Sequence, residues 1–296
     1  MNDIDLAGAA VPATDRRSLL GLGAAAATVM ATGAVVTGAA VTSSPAAAQT
    51  VTDIDILNFA LNLEYLEGEY YSRGFLGRGL DAADRDGVGG SGYVLGGSPV
   101  RFQTPAIFGA VQRIVIDEVD HIRFLRRVLG SAAVGAPNID LLNSFNALAA
   151  AAGLIPAGTQ FNPFADEISF MLGAFILTDV GVTAYAGSAR LLTNRDNVDA
   201  AAGLLATEAY HAGAIRFTLG LFNQQAAGNA ISAVRARLSN GKDAGLSVGN
   251  VNYNIANVDS DGLTFRRTAD EVLNVVYNGV RTGGGFLPNR ANGTIR

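Results

Sequence analysis

The residues best suited to chemistry in this chain form two Glu-x-x-His pairs, Glu118 with His121 and Glu208 with His211. The whole sequence has seven Glu and two His, and each His follows a Glu by three residues. Residues i and i+3 share a face of an α-helix, so each pair presents a carboxylate and an imidazole in one direction. Carboxylates and imidazoles are common ligands of divalent transition metals, and the pattern therefore indicates a metal site.

Both pairs interrupt apolar stripes that would face a protein core. The residues of these stripes are Val111, Ile114, Val115, Ile122 and Leu125 around the first pair, and Leu204, Ala212, Ile215 and Leu219 around the second. An ionised carboxylate is costly in a core without a partner, and a shared cation would provide one. For a single pair, a histidine satisfied within the core or bound to its own glutamate is the simpler interpretation. Two pairs on separate helices favour the metal site.

An earlier apolar helix carries further acidic residues. Glu64, Glu67 and Tyr71 share one of its faces, because their spacings of three and four residues follow the helical period. Glu64 is the first candidate ligand on this helix. Glu67 is the second, either as a ligand or as a support for one. Glu69 points away from this face and is expected to be solvated.

The third helix has two acidic residues that could point inward, Glu167 and Asp179. If the third and fourth helices are antiparallel around a turn near Arg195, Asp179 and Glu208 lie at nearly the same height. Glu167 would then be about 22 Å out of register along the helix axis. Asp179 is therefore the predicted ligand, with Tyr185 as a neighbouring donor. The alternative is that Asp179 only forms hydrogen bonds within the bundle.

Four long segments with helical periodicity would carry these residues. The segments are residues 53–76, 105–129, 163–192 and 198–222. Thr52 is a candidate N-cap of the first helix. A short fifth helix is predicted at residues 268–277, because Thr268 and Glu271 have the spacing of a capping box. Irregular structure is predicted for the Gly- and Asn-rich segments, residues 77–99 and 223–265.

The composition excludes several classes of function. The chain of 296 residues has no Cys, which excludes disulfides, thiolate metal sites and cysteine nucleophiles. The net charge is −5 and the Lys and Arg residues are dispersed, so no nucleic-acid partner is expected. A hydrolase is disfavoured because both histidines lie in Glu-x-x-His pairs and the chain has no serine-elbow pattern.

The N-terminus predicts an export signal. Arg16 and Arg17 precede a weakly apolar run at residues 19–41, and a small-residue cleavage pattern follows. A membrane-spanning helix is the alternative, but the many Gly and Thr residues and the lack of flanking aromatic residues disfavour it. The segment resembles a twin-arginine translocation signal, with departures at Leu19 and Gly21. This resemblance implies a partner in the twin-arginine export machinery, a folded protein in the periplasm or cell envelope, and no stable membrane span after processing.

The candidate ligands together resemble the metal site of the ferritin-like superfamily of di-iron and di-manganese carboxylate proteins. Its members are four-helix bundles with one long crossover between helices two and three. Helices one and three each supply a carboxylate, and helices two and four each supply a Glu-x-x-His pair. The resemblance implies an all-α fold and an iron or manganese centre, either dinuclear or mononuclear. The implied ligands are Glu64, Glu118, His121, Asp179, Glu208 and His211.

A closer resemblance is to the ferritin-like domain family of bacterial exported and plant desiccation-related proteins. The motifs that carry it are LNFALNLEYLE at residues 57–67, DVGVTAY at residues 179–185 and GFLPN at residues 285–289. It covers most of residues 52–292. It implies three parts, which are a signal at residues 1–48, a four-helix bundle at residues 49–225 and a loop-rich extension at residues 226–296 that packs on the bundle and contains the short fifth helix.

The resemblance leaves two functions open. One is a catalase-like or ferroxidase-like oxidoreductase, with metal ions and peroxide or dioxygen as its partners. In that case Glu118 and Glu208 would bridge the metal ions, and Tyr71 and Tyr185 would be catalytic donors beside the ligands. The other is a non-catalytic stress protein, desiccation-related or metal-storing, with the same bundle. The oligomeric state is left open, a homo-oligomer included.

Overall fold

The computed structural model describes residues 51–156 and 158–296, so the predicted export signal lies outside the described part. The helices of this part are α1 (Asp53–Leu76), α2 (Ala82–Arg85), α3 (Pro105–Leu129), α4 (Asn143–Ala151), α5 (Glu167–Ser188), α6 (Arg195–Leu221), α7 (Gln225–Leu238) and α8 (Ala269–Val276). Two short strands, β1 (Val94–Leu95) and β2 (Ile139–Asp140), pair in parallel. The prediction of a mostly helical fold is confirmed.

Four long helices, α1, α3, α5 and α6, form a bundle. Helix α1 packs on α3, α5 packs on α6, and α1 also packs on α5, whereas α3 and α6 approach each other less closely. The long connection from α3 to α5 contains β2 and α4, in agreement with the predicted crossover between the second and third bundle helices. The apolar stripes of the four helices meet in one core, as bundle packing requires.

Helices α1 and α5 are the innermost elements. All residues in 56–72 of α1 and 170–185 of α5 are buried, polar ones included. The segment Glu167–Leu191 is the one helical segment of the described residues that is long and apolar enough to cross a membrane, yet 89% of its apolar window lies inside the fold. The apolar composition of α5 is therefore explained by its position in the protein core.

Glycines allow α1 and α5 to approach each other closely. A Cβ atom on Gly74 would lie 2.1 Å from the ring of Phe170, and one on Gly173 would lie 2.2 Å from the hydroxyl of Tyr70. The rings of Tyr70 and Phe170 stack with centroids 4.6 Å apart in the same place. Because no side chain fits between the helices here, the two glycines fix how α1 and α5 are placed against each other.

The helix starts follow the capping signals of the sequence. The Thr52 side chain accepts a hydrogen bond from the backbone of Asp55, whose carboxylate caps Thr52 in return. Thr268 and Glu271 form the same reciprocal pair at the start of α8, as predicted. These bonds satisfy amide groups that the first turn of a helix leaves without partners.

Helix α7 lies in a segment that was expected to be irregular, and that expectation is wrong for its first part. The buried face of α7 contains Ile231 and Val234 together with the guanidinium-bearing Arg235. A charged residue on the inner face hides the apolar period of a short helix. The short helix α4 lies within the crossover between α3 and α5, and it buries Phe145 and Leu148.

A network of ion pairs fastens the C-terminal extension to the bundle. Asp179 of α5 accepts hydrogen bonds from Arg216 of α6 at 2.9 Å and from Arg235 of α7 at 2.7 Å. Asp243 binds the same Arg235 at 2.9 Å and Arg267 at 2.6 Å. All five side chains are almost wholly shielded from solvent. The network therefore links two bundle helices to α7 and to the loop that precedes α8.

The charges of this network depend on one another. Burial by itself would raise the pKa of the Asp179 carboxyl, but Arg216 and Arg235 together bring that pKa below its ordinary value. The guanidinium of Arg235 also lies 4.3 Å from the ring centroid of Phe175, a favourable cation–π distance. Removal of one carboxylate would leave buried guanidinium groups without a counter-charge, which is strongly unfavourable.

We predict that Asp179→Asn lowers the free energy of unfolding by about 3–5 kcal/mol, because it leaves buried arginines uncompensated. Urea denaturation followed by helical circular dichroism measures the change. The matched control is Asp81→Asn, since the ion pair of Asp81 with Arg78 is exposed on both sides and should contribute little. Equal stability of the two variants would show that the network does not hold the extension in place.

Candidate metal centre

Four buried side chains from three helices meet in the interior of the bundle. Glu64 comes from α1, Glu118 and His121 come from α3, and Glu208 comes from α6. One ligand atom of each lies within 4.8 Å of the corresponding atoms of the others. His211, one turn beyond Glu208, joins them with Nδ1 at 3.2 Å from Glu118 Oε1. The structure thus brings five of the sequence-predicted ligands together.

Each histidine lies closer to the glutamate of the other helix than to its own. His121 Nδ1 is 3.1 Å from Glu208 Oε1 and 4.0 Å from Glu118 Oε2. His211 Nδ1 is 3.2 Å from Glu118 Oε1 and 3.9 Å from Glu208 Oε2. The two imidazole centroids are 6.1 Å apart. The crossed arrangement excludes the simpler interpretation in which each His–Glu pair is satisfied within its own helix.

Seven ligand-capable atoms that face the shared space form no well-directed hydrogen bond among the described residues, although the imidazole nitrogens lie 3.1–3.4 Å from carboxylate oxygens. These atoms are Glu64 Oε2, both carboxylate oxygens of Glu118 and of Glu208, and Nδ1 of His121 and of His211. A buried polar atom without a partner costs roughly 1–3 kcal/mol, and native proteins rarely contain several together. A divalent cation would satisfy all of them at once. The residues present therefore fit a metal site with oxygen and nitrogen ligands.

Burial and the neighbouring charges shift the pKa of each carboxyl and of His121 in this cluster. Burial raises the pKa of Glu118 well above its ordinary value, and the nearby carboxylate of Glu208 raises it further. Burial opposes ionisation of Glu64 as well, but His121 brings the pKa of Glu64 below its ordinary value. Burial lowers the pKa of His121, yet Glu64 and Glu208 outweigh it and raise that pKa to about 11. The protonated imidazole of His121 therefore offsets part of the negative charge of the neighbouring carboxylates.

The two predicted donor tyrosines are close to the cluster. The Tyr185 hydroxyl donates to Glu64 Oε1. The Tyr71 hydroxyl is 2.8 Å from Thr178 Oγ1, which donates to Glu67 Oε2 at 2.8 Å. Burial raises the pKa of both phenols well above the ordinary value, so both stay protonated. Tyr185 therefore touches a candidate ligand directly, whereas Tyr71 reaches Glu67 through Thr178.

Two acidic residues are placed differently from the sequence prediction. Asp179 is not brought to the cluster, which corrects its assignment as a metal ligand, because Arg216 and Arg235 occupy its carboxylate. The height of Asp179 along α5 does not decide whether its side chain faces the cluster. Successive residues point about 100° apart around a helix, so the direction depends on how α5 is rotated about its axis. The expectation that Glu69 is solvated is wrong as well. Its side chain is buried and pairs with Arg73 at 2.8 Å.

Asp117 is a residue of the site that the spacing of residues in the sequence does not indicate. Its Oδ2 lies 3.1 Å from Nε2 of His211, and Arg113 binds the same carboxylate. A hydrogen bond at Nε2 keeps the proton on that nitrogen and leaves Nδ1 free to face the shared space. Its position directly before Glu118 was the one available signal in the sequence, but adjacency alone does not show which helix a side chain reaches.

Comparison with known proteins places this site in a described family. A family profile described as "Ferritin-like domain" matches residues 52–221, which include all the candidate ligands. The chain is 32% identical over 271 residues to a ferritin-like catalase, Nec2, of Nesocodon mauritianus, and the match covers 82% of this chain and 84% of the relative. It is 28% identical over 249 residues to the desiccation-related protein PCC13-62 of Craterostigma plantagineum, with 75% and 76% covered.

We predict that Asp117→Asn weakens metal binding by about 10- to 100-fold, because His211 loses the carboxylate that orients it. Isothermal titration with Mn²⁺ measures the affinity. Asp120→Asn is the matched control, since Asp120 lies one turn along the same helix and is exposed. Equal Mn²⁺ affinity in the two variants would contradict an orienting role for Asp117.

We predict that metal binding releases protons and strengthens as the pH rises. The pKa of His121, raised to about 11 by Glu64 and Glu208, means that its imidazole holds a proton that ligation must remove, and the raised pKa of Glu118 acts in the same direction. The affinity should increase about tenfold per pH unit for each proton released. Titrations with Mn²⁺ at about pH 6 and about pH 8, in buffers of different ionisation enthalpy, count the protons. An affinity independent of pH would contradict the protonated metal-free cluster.

Proposed function

The chain belongs to the ferritin-like domain family, and we propose that this protein is a metal-dependent oxidoreductase that removes peroxide at a dinuclear iron or manganese centre. The observation that carries the proposal is the convergence of seven buried carboxylate and imidazole atoms from three helices, none of which makes a well-directed hydrogen bond among the described residues. The relative of Nesocodon mauritianus, which is named a ferritin-like catalase, supports the same class of reaction.

The crossed arrangement of the ligands supports two ions rather than one. His121 lies beside Glu64 and Glu208, whereas His211 lies beside Glu118 and close to Glu208. Because the two imidazoles face different carboxylates, each histidine would bind its own ion. Paired metal ions in enzymes are typically about 3.5–4 Å apart, which a bridging carboxylate spans. Glu118 and Glu208 are the candidate bridges, because each has both carboxylate oxygens free.

Iron or manganese supplies the oxidation and reduction when bound, since both metals change oxidation state with ligands of this kind. The protein's own residues bind and hold protons around the site. Tyr185 donates to one oxygen of Glu64, so Glu64 has only its other oxygen free for a metal. Thr178 fixes one oxygen of Glu67 in the same way, and Tyr71 keeps a protonated hydroxyl beside Thr178.

The imidazoles form the most accessible side of the cluster. His121 and His211 are 8% and 5% exposed, whereas Glu118 and Glu208 are at most 1% exposed. The histidines belong to α3 and α6, which are the bundle neighbours that approach each other less closely. A small solute such as peroxide would therefore enter between α3 and α6, and the surrounding core would keep bulk water from the carboxylates.

A second candidate function is a non-catalytic stress protein in which the metal stabilises the bundle or is stored. The match to a desiccation-related protein favours it. The same cluster would serve this function, since bound metal stabilises a folded state that offers a preformed site. The two functions differ in whether the bound metal reacts.

We also propose that the protein is exported through the twin-arginine machinery. Arg16 and Arg17 before a weakly apolar run support the proposal. The start of the fold is compatible with cleavage near residue 48, because α1 begins at Asp53 with its own cap. A fusion of residues 1–48 to a reporter tests it, since Arg16→Lys with Arg17→Lys should abolish its export.

The proposed reaction predicts that the mature chain, loaded with Mn²⁺ or Fe²⁺, releases dioxygen from hydrogen peroxide. An oxygen electrode measures the rate, and elemental analysis counts the ions. His121→Ala with His211→Ala should abolish both the bound metal and the oxygen release, because each ion loses its imidazole. Circular dichroism should still show the helices. The Asp120→Asn variant, altered on the exposed side of the same helix, is the control.

The two candidate functions give opposite results in this experiment. Two bound ions with oxygen release that depends on both histidines support the oxidoreductase. One tightly held ion without reaction toward peroxide supports the protective or storage protein. Full metal binding in the double histidine variant would contradict the ligand assignment itself.

A further inference from the structure

We propose that Glu67 of α1 is the carboxylate that completes the two-ion site, and that Gly181 of α5 provides the space in which it lies. The inference rests on the proposed function, because it concerns the second ion of that site. The fourth carboxylate of the site then comes from α1, which already supplies Glu64. Helix α5 supplies no carboxylate ligand and only positions Glu67.

The evidence for the space is the geometry at Gly181. A Cβ atom on this residue would lie 2.6 Å from Glu67 Oε1 and 3.6 Å from Glu208 Oε2. A methyl carbon and an oxygen cannot lie 2.6 Å apart without displacement, so even alanine at this position would push the Glu67 carboxylate aside. Both glutamates thus lie next to the space that a side chain at Gly181 would fill.

Thr178 orients the carboxylate from the same face of α5. Its hydroxyl donates to Glu67 Oε2 at 2.8 Å and lies 2.8 Å from the hydroxyl of Tyr71. Thr178 and Gly181 are three residues apart and so lie on one side of the helix. With Oε2 held by Thr178, Oε1 is the oxygen of Glu67 nearest to the Cβ position of Gly181, and that position is 3.6 Å from Glu208 Oε2.

Charge balance shows why a fourth carboxylate is needed. Two divalent cations bring four positive charges into a region where the ligands are almost completely buried, and uncompensated buried charge is very costly. Glu64, Glu118 and Glu208 supply three negative charges, and Glu67 supplies the fourth. Asp179 of α5 cannot serve, because it is bound to two arginines.

The test counts bound ions in Glu67→Gln and Gly181→Ala, with Gly203→Ala as the matched control. Gly203 is also a helical glycine, but a Cβ atom there would meet no atom within 4 Å. Elemental analysis and Mn²⁺ titration should show two ions for the unaltered chain and for the control. Both test variants should keep one ion and bind the second at least about tenfold more weakly. The rise in melting temperature on addition of Mn²⁺ should shrink in parallel, and circular dichroism verifies folding.

A carboxylate moved from α1 to α5 provides the rescue. In Glu67→Ala with Gly181→Asp, the new side chain starts from the point 3.6 Å from Glu208 Oε2. This double variant should recover the second ion. If both single variants lose the second ion and this double variant does not recover it, a carboxylate from position 181 cannot replace that of Glu67. That result would overturn the claim that Gly181 provides the space in which the Glu67 carboxylate lies. Two ions bound with unaltered affinity in Glu67→Gln and Gly181→Ala would overturn the whole inference. If the unaltered chain itself binds no ion, the proposed function fails instead.

Discussion

The rest of this structure depends on one constraint. Several carboxylates are buried close together, and burying like charges without a counter-charge costs free energy. Glu64, Glu118 and Glu208 converge with two imidazoles, and most of their facing atoms have no hydrogen-bond partner among the described residues. The carboxylates of Glu64 and Glu208 raise the pKa of His121 to about 11, so a protonated imidazole offsets part of the repulsion. A core arranged in this way is unfavourable for stability alone, and divalent cations, as proposed here, would supply the missing counter-charge.

A second buried charge cluster in the same bundle shows the contrast. Asp179 and Asp243 are surrounded by Arg216, Arg235 and Arg267, so each carboxylate has its counter-charge from the protein itself. That cluster joins the C-terminal extension to the bundle and leaves no carboxylate free for a cation. The presence or absence of internal counter-charges thus separates a structural cluster from a candidate metal site, although both clusters contain buried carboxylates.

The helices surround the candidate metal site unevenly. Glycines at positions 74 and 173 hold α1 close to α5, so that side of the bundle is closed by backbone and aromatic rings. Helices α3 and α6 pack less extensively on each other and carry the two histidines. The candidate ligands are almost completely buried, and His121 is the most exposed of them at 8%.

The sequence by itself determined the helical pattern, the two Glu-x-x-His pairs and Glu64, because each of these follows from the spacing of residues within one helix. It did not determine the rotation of α5, which turns Asp179 toward arginines and Gly181 toward the cluster. It also missed Asp117, the burial of Glu69 and helix α7, whose inner face includes an arginine that is paired with distant residues. These features depend on contacts between residues far apart in the chain, so only the tertiary structure could decide which acidic residues face each other and which face a counter-charge.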